Sequence, residues 1–178
     1  MSMLRYGFWA CFLLLAAVAG VMDWQSRRIP NWLTVSGLIA GVAINTLTRG
    51  WFGAKASLLG TCLGLGLLLP FVLIRSLGAG DWKLVGAMGA FVGPQELVAL
   101  LFFAIVAAGC MALILILWKG RVGVTLRNIG QMFGSLLSLH LPGSEVSLDN
   151  PESLKIPFGV AVAIAAVIYT ADRVWRGV

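Results

Sequence analysis

Charge is scarce in this sequence. Thirteen Lys and Arg and seven Asp and Glu are all the acidic and basic side chains in 178 residues, and histidine occurs once. A soluble domain carries charge on roughly a quarter of its residues. This chain, with 60% hydrophobic residues and a mean hydropathy of +0.95, reads instead as a membrane protein. Those values exclude a disordered chain and a typical DNA-binding module, despite a net charge of +6. Cysteine is sparse too. Cys11, Cys62 and Cys110 lie inside apolar runs with no CxxC spacing, which argues against a disulfide framework or a zinc site and predicts three small buried hydrophobes. The basic excess, scattered between apolar runs, suits loops that orient a polytopic protein and touch anionic headgroups, so membrane lipids are expected partners and nucleic acid is not.

Crossing the hydrocarbon core takes about 20 apolar residues in a helix. Six stretches are candidates: Tyr6 to Met22, Ile29 to Thr48, Ala56 to Ile74, Leu84 to Gln95, Leu97 to Trp118 and Ile156 to Ala171. The fourth is too short unless its helix also takes in Asp81 to Lys83, which would put a carboxylate and an ammonium in a protein-lined recess, since lipid does not tolerate them. The first run is not a secretory signal: its positive region is a single Arg5, and it leads into Asp23 and Trp24 without a small-residue cleavage site. With the amino terminus outside, the inner loops carry Arg27, Arg28, Arg75, Lys83, Lys119, Arg121, Arg127 and Lys155, and the outer segments carry Arg5, Arg49, Lys55, Arg173 and Arg176. That bias favours this orientation.

The expected architecture is therefore all-α, a single membrane-embedded domain over residues 1–178 with about six transmembrane helices. The one long connection spans residues 119–155. Apolar Leu126, Ile129, Phe133, Leu136 and Leu137 alternate there with polar residues at helical spacing, which predicts an amphipathic helix in the interface, followed by a turn-rich loop from Pro142 to Pro151. Gly37 with Gly41, Gly60 with Gly64 and Gly89 with Gly93 form small-xxx-small pairs that predict close helix packing. His140 has no second ligand nearby in the sequence, so no metal is expected.

Two carboxylates remain after the loop and terminal acids are set aside. Asp23 and Asp81 each end an apolar run, and two crossings separate them, so parity returns both to one side of the membrane in either orientation. Carboxylates a few ångströms apart do not both ionise comfortably, and such a pair shares a proton. One member then activates water while the other donates to a carbonyl, the division of labour for peptide-bond hydrolysis. The same acids also suit a proton relay in a small transporter or channel, or a scaffold in which Asp23 anchors a loop through Arg27 or Arg28 and Asp81 caps a helix beside Lys83. Gly78 and Gly80 precede Asp81, where the backbone can take positive φ or admit close approach of another segment. Pro30 disfavours helix just before it and predicts a non-helical turn around Asp23.

These residues resemble the type IV prepilin peptidases, polytopic aspartic proteases of the GxGD type. The family's aspartate followed by a basic residue and Ile-Pro-Asn is matched by Asp23, Arg27, Ile29, Pro30 and Asn31. Its GxGDxKL pattern, followed by a small-residue helix, is matched by Gly78, Gly80, Asp81, Lys83 and Leu84, then Gly86, Ala87, Gly89 and Ala90. Ile156 to Gly159, Ile-Pro-Phe-Gly, is a third and weaker match at the start of the last helix. The resemblance implies an aspartic endopeptidase in the bacterial inner membrane, with Asp23 and Asp81 as catalytic pair facing the cytoplasm and no cofactor. Its partner would be a prepilin or pseudopilin with a basic leader and an apolar helix. Gly78 and Gly80 would shape the active-site turn, Arg27, Pro30 and Asn31 the supporting loop. Lys83 would lie beside the pair, acting on its charge or orienting substrate. Longer members carry a cysteine-rich insertion with paired CxxC motifs and methylate the new amino terminus. These 178 residues hold no such motif and resemble the short form of Flp-type, tight-adherence pilus systems, which implies cleavage without methyl transfer.

Overall fold

The computed structural model describes residues 3–73, 77–120, 123, 127 and 157–176, with side chains from Tyr6 onward. These residues form helices α1 (Met3–Ser26), α2 (Asn31–Leu73), α3 (Ala79–Trp118) and α4 (Phe158–Trp175), with no strand among them. All four are long and apolar enough to cross a membrane. The expected interfacial helix, the turn-rich loop and His140 lie outside the described residues.

The sequence predicts six separate segments where the structure has four helices, two of them broken by a single glycine. Gly50 (φ 58°, ψ −141°) interrupts α2, and Gly93 (φ 80°, ψ 175°) interrupts α3. A side chain is strained at these angles, so glycine is what lets the chain turn there. Pro94 then opens the next limb at the first helical position, where its missing N–H costs nothing.

Each break reverses the chain. A straight helix over α2 would be about 64 Å long at 1.5 Å per residue, yet its first residue and its second half both meet the start of α3. The Lys83 ammonium bonds Asn31 at 2.9 Å, and the Trp82 indole N–H bonds the Leu65 carbonyl at 2.7 Å. In the middle of α2, Asn45 reaches Ala90 and Phe91, while Gly60 lies against the backbone of Gly89. The second limb of α3 likewise returns: Leu97 packs against Gly64 and Gly89, and Leu101, Phe102 and Ile105 share a cleft with Leu77. The first limb of α3, Ala79 to Val92, is only about 21 Å long. It reaches even that length by including Asp81 and Lys83, as the sequence requires.

Inside a bilayer the packing of helices relies on close van der Waals fit, because lipid is as apolar as leucine. The glycine pairs provide that fit. A methyl group on Gly41 would meet Phe91 and Ala90, one on Gly37 would meet Leu15, and one on Gly60 would strike the Gly89 carbonyl. Gly93 combines this packing with the turn: its backbone would lie 2.9 Å from a methyl on Gly60, while a methyl on Gly93 itself would make only ordinary contact. The cysteines also depart from it, since Cys11, Cys62 and Cys110 are all exposed on the outward faces of their helices. An apolar run in a membrane helix faces lipid as readily as protein, so run membership alone does not imply burial. Trp24, Trp32, Trp51, Trp118 and Trp175, all exposed, sit at helix ends or at the Gly50 turn, the positions of aromatic belts.

Asn45 solves a local problem. The break at Gly93 leaves the last carbonyls of the preceding limb without helical partners, and lipid has no donors to offer. Asn45, 4% exposed, donates its side-chain N–H groups to Ala90 at 2.9 Å and Phe91 at 2.8 Å. Asn45→Leu leaves both carbonyls unpaired and should cost about 2 kcal/mol, read as a lower unfolding midpoint in detergent. An unchanged midpoint would mean that other groups satisfy this break.

Candidate active site

The two sequence motifs meet at one end of the bundle. Asp23 lies in the last turn of α1, not in a turn of its own as the following proline suggests. The helix continues to Ser26, and the chain departs from it at Arg27, whose φ of 54° is left-handed. Pro30 restricts only the residue before it, Ile29, and five residues separate Asp23 from that point, enough to keep the acid helical. The Arg27 N–H still bonds the Asp23 carbonyl at 2.9 Å, while the Ser26 hydroxyl donates to Met22 at 2.8 Å. Left-handed backbone at a non-glycine residue costs about 1 kcal/mol or more, here at the point that aims Ile29 into the core.

Asp81 enters from α3. Gly78 is the N-cap in extended conformation (φ −69°), and Asp81 is in the first helical turn, where a carboxylate favours the helix dipole. Neither motif glycine uses positive φ; both serve close approach. A methyl on Gly78 would sit 3.1 Å from the Asp81 carboxylate, and one on Gly80 would sit 3.2 Å from the backbone oxygen of Ile29. The second therefore lets the start of α3 press against the loop after α1. This contact brings Asp81 within electrostatic range of Asp23. Asp81 Oδ1 is buried and has no hydrogen-bond partner among the described residues, so it remains available to a reacting group.

Asp23 is more enclosed, at 5% exposure. Its Oδ2 accepts the Gly159 N–H at 2.7 Å, and Val160 N–H also bonds the carboxylate. The Gly159 N–H is a free donor in the first turn of α4, which begins after Pro157, so an acid from α1 caps a helix from the far end of the chain. Gly159 is required by proximity: an added methyl would lie 2.8 Å from Asp23 Cβ and 3.0 Å from its Oδ2. The sequence offers Gly159 only as part of a short third motif, without revealing its contact with Asp23. The signal was its place two residues after a proline at a helix start.

The remaining expected residues form the rim. Arg27 lies within electrostatic range of Asp23. Pro30 supplies the carbonyl that accepts the Leu33 N–H at 3.2 Å as α2 begins. Lys83 does not pair with Asp81: its ammonium donates to Asn31 Oδ1 at 2.9 Å, joining the start of α3 to the start of α2. Lys83→Gln and Asn31→Ala should each cost about 1 kcal/mol, and the double variant little more than either one. Unfolding midpoints in detergent check this, and fully additive losses would show that the two side chains act separately.

Comparison with known proteins adds an independent finding. Residues 9–113 match the profile described as "Type IV leader peptidase family", a stretch that includes both aspartates and ends before α4. The chain is 30% identical over 128 residues to a protein named "Prepilin leader peptidase/N-methyltransferase" from Burkholderia pseudomallei (strain 1026b), covering 68% of this chain and 40% of that protein. It is 29% identical over 117 residues to a protein of the same name from Myxococcus xanthus (strain DK1622), covering 60% and 34%. A third, from Xanthomonas campestris pv. campestris, is 27% identical over 136 residues, covering 67% and 46%. The chain thus spans less than half the length of the curated relatives it matches. No solved structure matches it significantly.

Proposed function

The chain belongs to the type IV leader peptidase family, and from that premise we propose that it is an aspartic endopeptidase that removes the basic leader from Flp-like type IV prepilins or pseudopilins. The observation that carries this reading is the meeting of Asp23 and Asp81. Two acids from different helices come within electrostatic range of each other at one end of an apolar bundle, and one of them is held by the N-terminus of a third helix.

The chemistry follows from the pair. One carboxylate, ionised, takes a proton from water as the water attacks the scissile carbonyl. The other, protonated, donates to the carbonyl oxygen, and the roles reverse as the amine leaves. The proton belongs to the pair and not to one residue. Asp23, fixed by Gly159 and Val160, supplies a rigid member; Asp81, with a free oxygen, supplies the one that meets the substrate. Arg27 and the linked Lys83 and Asn31 border this end, while a prepilin's apolar helix stays in lipid and its leader bond reaches the rim.

In this reading six limbs cross the bilayer, α2 and α3 crossing twice each by reversing at Gly50 and Gly93, and the site faces the cytoplasm of a bacterial inner membrane. The parity of crossings and the excess of Lys and Arg on the site's side support that orientation.

Co-expression with an Flp-type prepilin tests the function, with leader removal read by mass spectrometry at equal membrane levels of enzyme. Wild type should release the mature pilin, and Asp23→Asn or Asp81→Asn should leave the precursor intact. Cleavage that persists in either variant removes that residue from the mechanism. A proton flux through vesicles holding the wild type, with no cleavage of any leader-bearing substrate, would instead favour a relay.

A further inference from the structure

A second polar centre lies at the opposite end of the bundle, about 20 Å from the aspartates along α1 and α4. There the N-terminal part of α1, the Gly50 turn, the Gly93 turn and the C-terminal part of α4 enclose a cavity of about 460 Å³. Arg49, Lys55 and Arg173 line it, against a single carboxylate, Glu96. That carboxylate is already engaged, pairing with Arg173 and accepting the Tyr169 hydroxyl at 3.1 Å. Arg49 and Lys55 have no ion-pair partner among the described residues.

Two further groups lack a partner. Trp9 Nε1 and Arg173 Nε are buried and make no hydrogen bond among the described residues, and both belong to side chains of residues that line the cavity. Each is a donor only, so an acceptor alone can satisfy it. A cavity with excess positive charge, two unpartnered buried donors and a guanidinium fork matches an anion with several oxygens, and phosphate geometry suits arginine best. The N-terminal turn that begins at Pro94 also opens on this space, adding its dipole.

We propose that this cavity binds a phosphate group, supplied either by an anionic phospholipid headgroup or by free phosphate. Its place explains a feature of the sequence. Of the five basic residues assigned to the outer segments, three gather here, so the weak charge asymmetry between the two faces reflects a binding site on the outer one. The inference uses no catalytic residue and stands apart from the peptidase reading.

The test uses the whole protein in neutral detergent, with thermal unfolding followed during titration with dioleoylphosphatidylglycerol and, separately, with inorganic phosphate. The wild type should show a saturable rise of about 5 °C with the lipid. Arg49→Gln/Lys55→Gln should unfold at the wild-type temperature without ligand and lose most of that rise. Lys55→Gln alone should lose part of it, which keeps the test informative if the double variant folds poorly. A saturable rise with inorganic phosphate as large as that with lipid assigns the site to free phosphate; a rise with lipid alone assigns it to the headgroup. No saturable rise with either probe, or the same rise in wild type and variants, overturns the proposal.

Discussion

Asp23→Asn and Asp81→Asn should each lower the rate of leader removal by about a thousandfold or more while leaving the fold intact. The magnitude follows from what each carboxylate does: a positioned general acid or base contributes about 10²- to 10⁴-fold, and with one member gone neither the water nor the carbonyl is served. The fold should survive for a local reason. Asn retains a side-chain oxygen to accept the Gly159 N–H that holds Asp23, and Asp81 Oδ1 has no partner among the described residues to lose. Helix content by circular dichroism and the unfolding midpoint in detergent would check that the loss is chemical. Loss of folding in both variants would return the pair to a scaffold role.

Gly159→Ala should slow leader removal by about a hundredfold without replacing either carboxylate. The added methyl has nowhere to go: it meets Asp23 Cβ at 2.8 Å, a stem atom that no rotamer can move. Either α4 shifts away from α1, breaking the 2.7 Å bond that aims Asp23, or α1 rotates and carries the acid with it. A displacement of about 1 Å at a reacting group costs about 10²-fold. The loss should fall on kcat more than on KM, because the prepilin's apolar helix would still bind. Gly66→Ala is the matched control, since a methyl there meets nothing within 4 Å. It should cleave like wild type and gain about 0.5 kcal/mol or more from helix propensity. Equal activity of Gly159→Ala and wild type would show that Asp23 needs no support from α4.

Much of this is legible in the sequence because membranes simplify the code. Long uncharged runs must be helices, since no other single segment satisfies its own backbone in lipid. Asp23 and Asp81 stand out because so few acids border those runs, and counting crossings places them together. The short run after Asp81 already requires that the helix include the polar residues before it, and α3 does start at Ala79. Other particulars were not legible. That α2 and α3 each turn at a single glycine, with no longer loop, depends on backbone angles at Gly50 and Gly93 that the other glycines within these two helices do not share. Which face of a run meets protein is equally silent, and the exposed cysteines follow from that.

By itself, then, the sequence determined the all-helical class and singled out the two acids of the candidate site, because hydropathy and charge are properties of residues in order. Tertiary structure decided the partners. Asp23 is held by Gly159, 136 positions away, Lys83 pairs with Asn31 and not with its neighbouring acid, and Arg49, Lys55 and Arg173 gather around one cavity. Hydrogen bonds and ion pairs act over a few ångströms of space, and only the way the limbs turn back and pack determines which residues come that close.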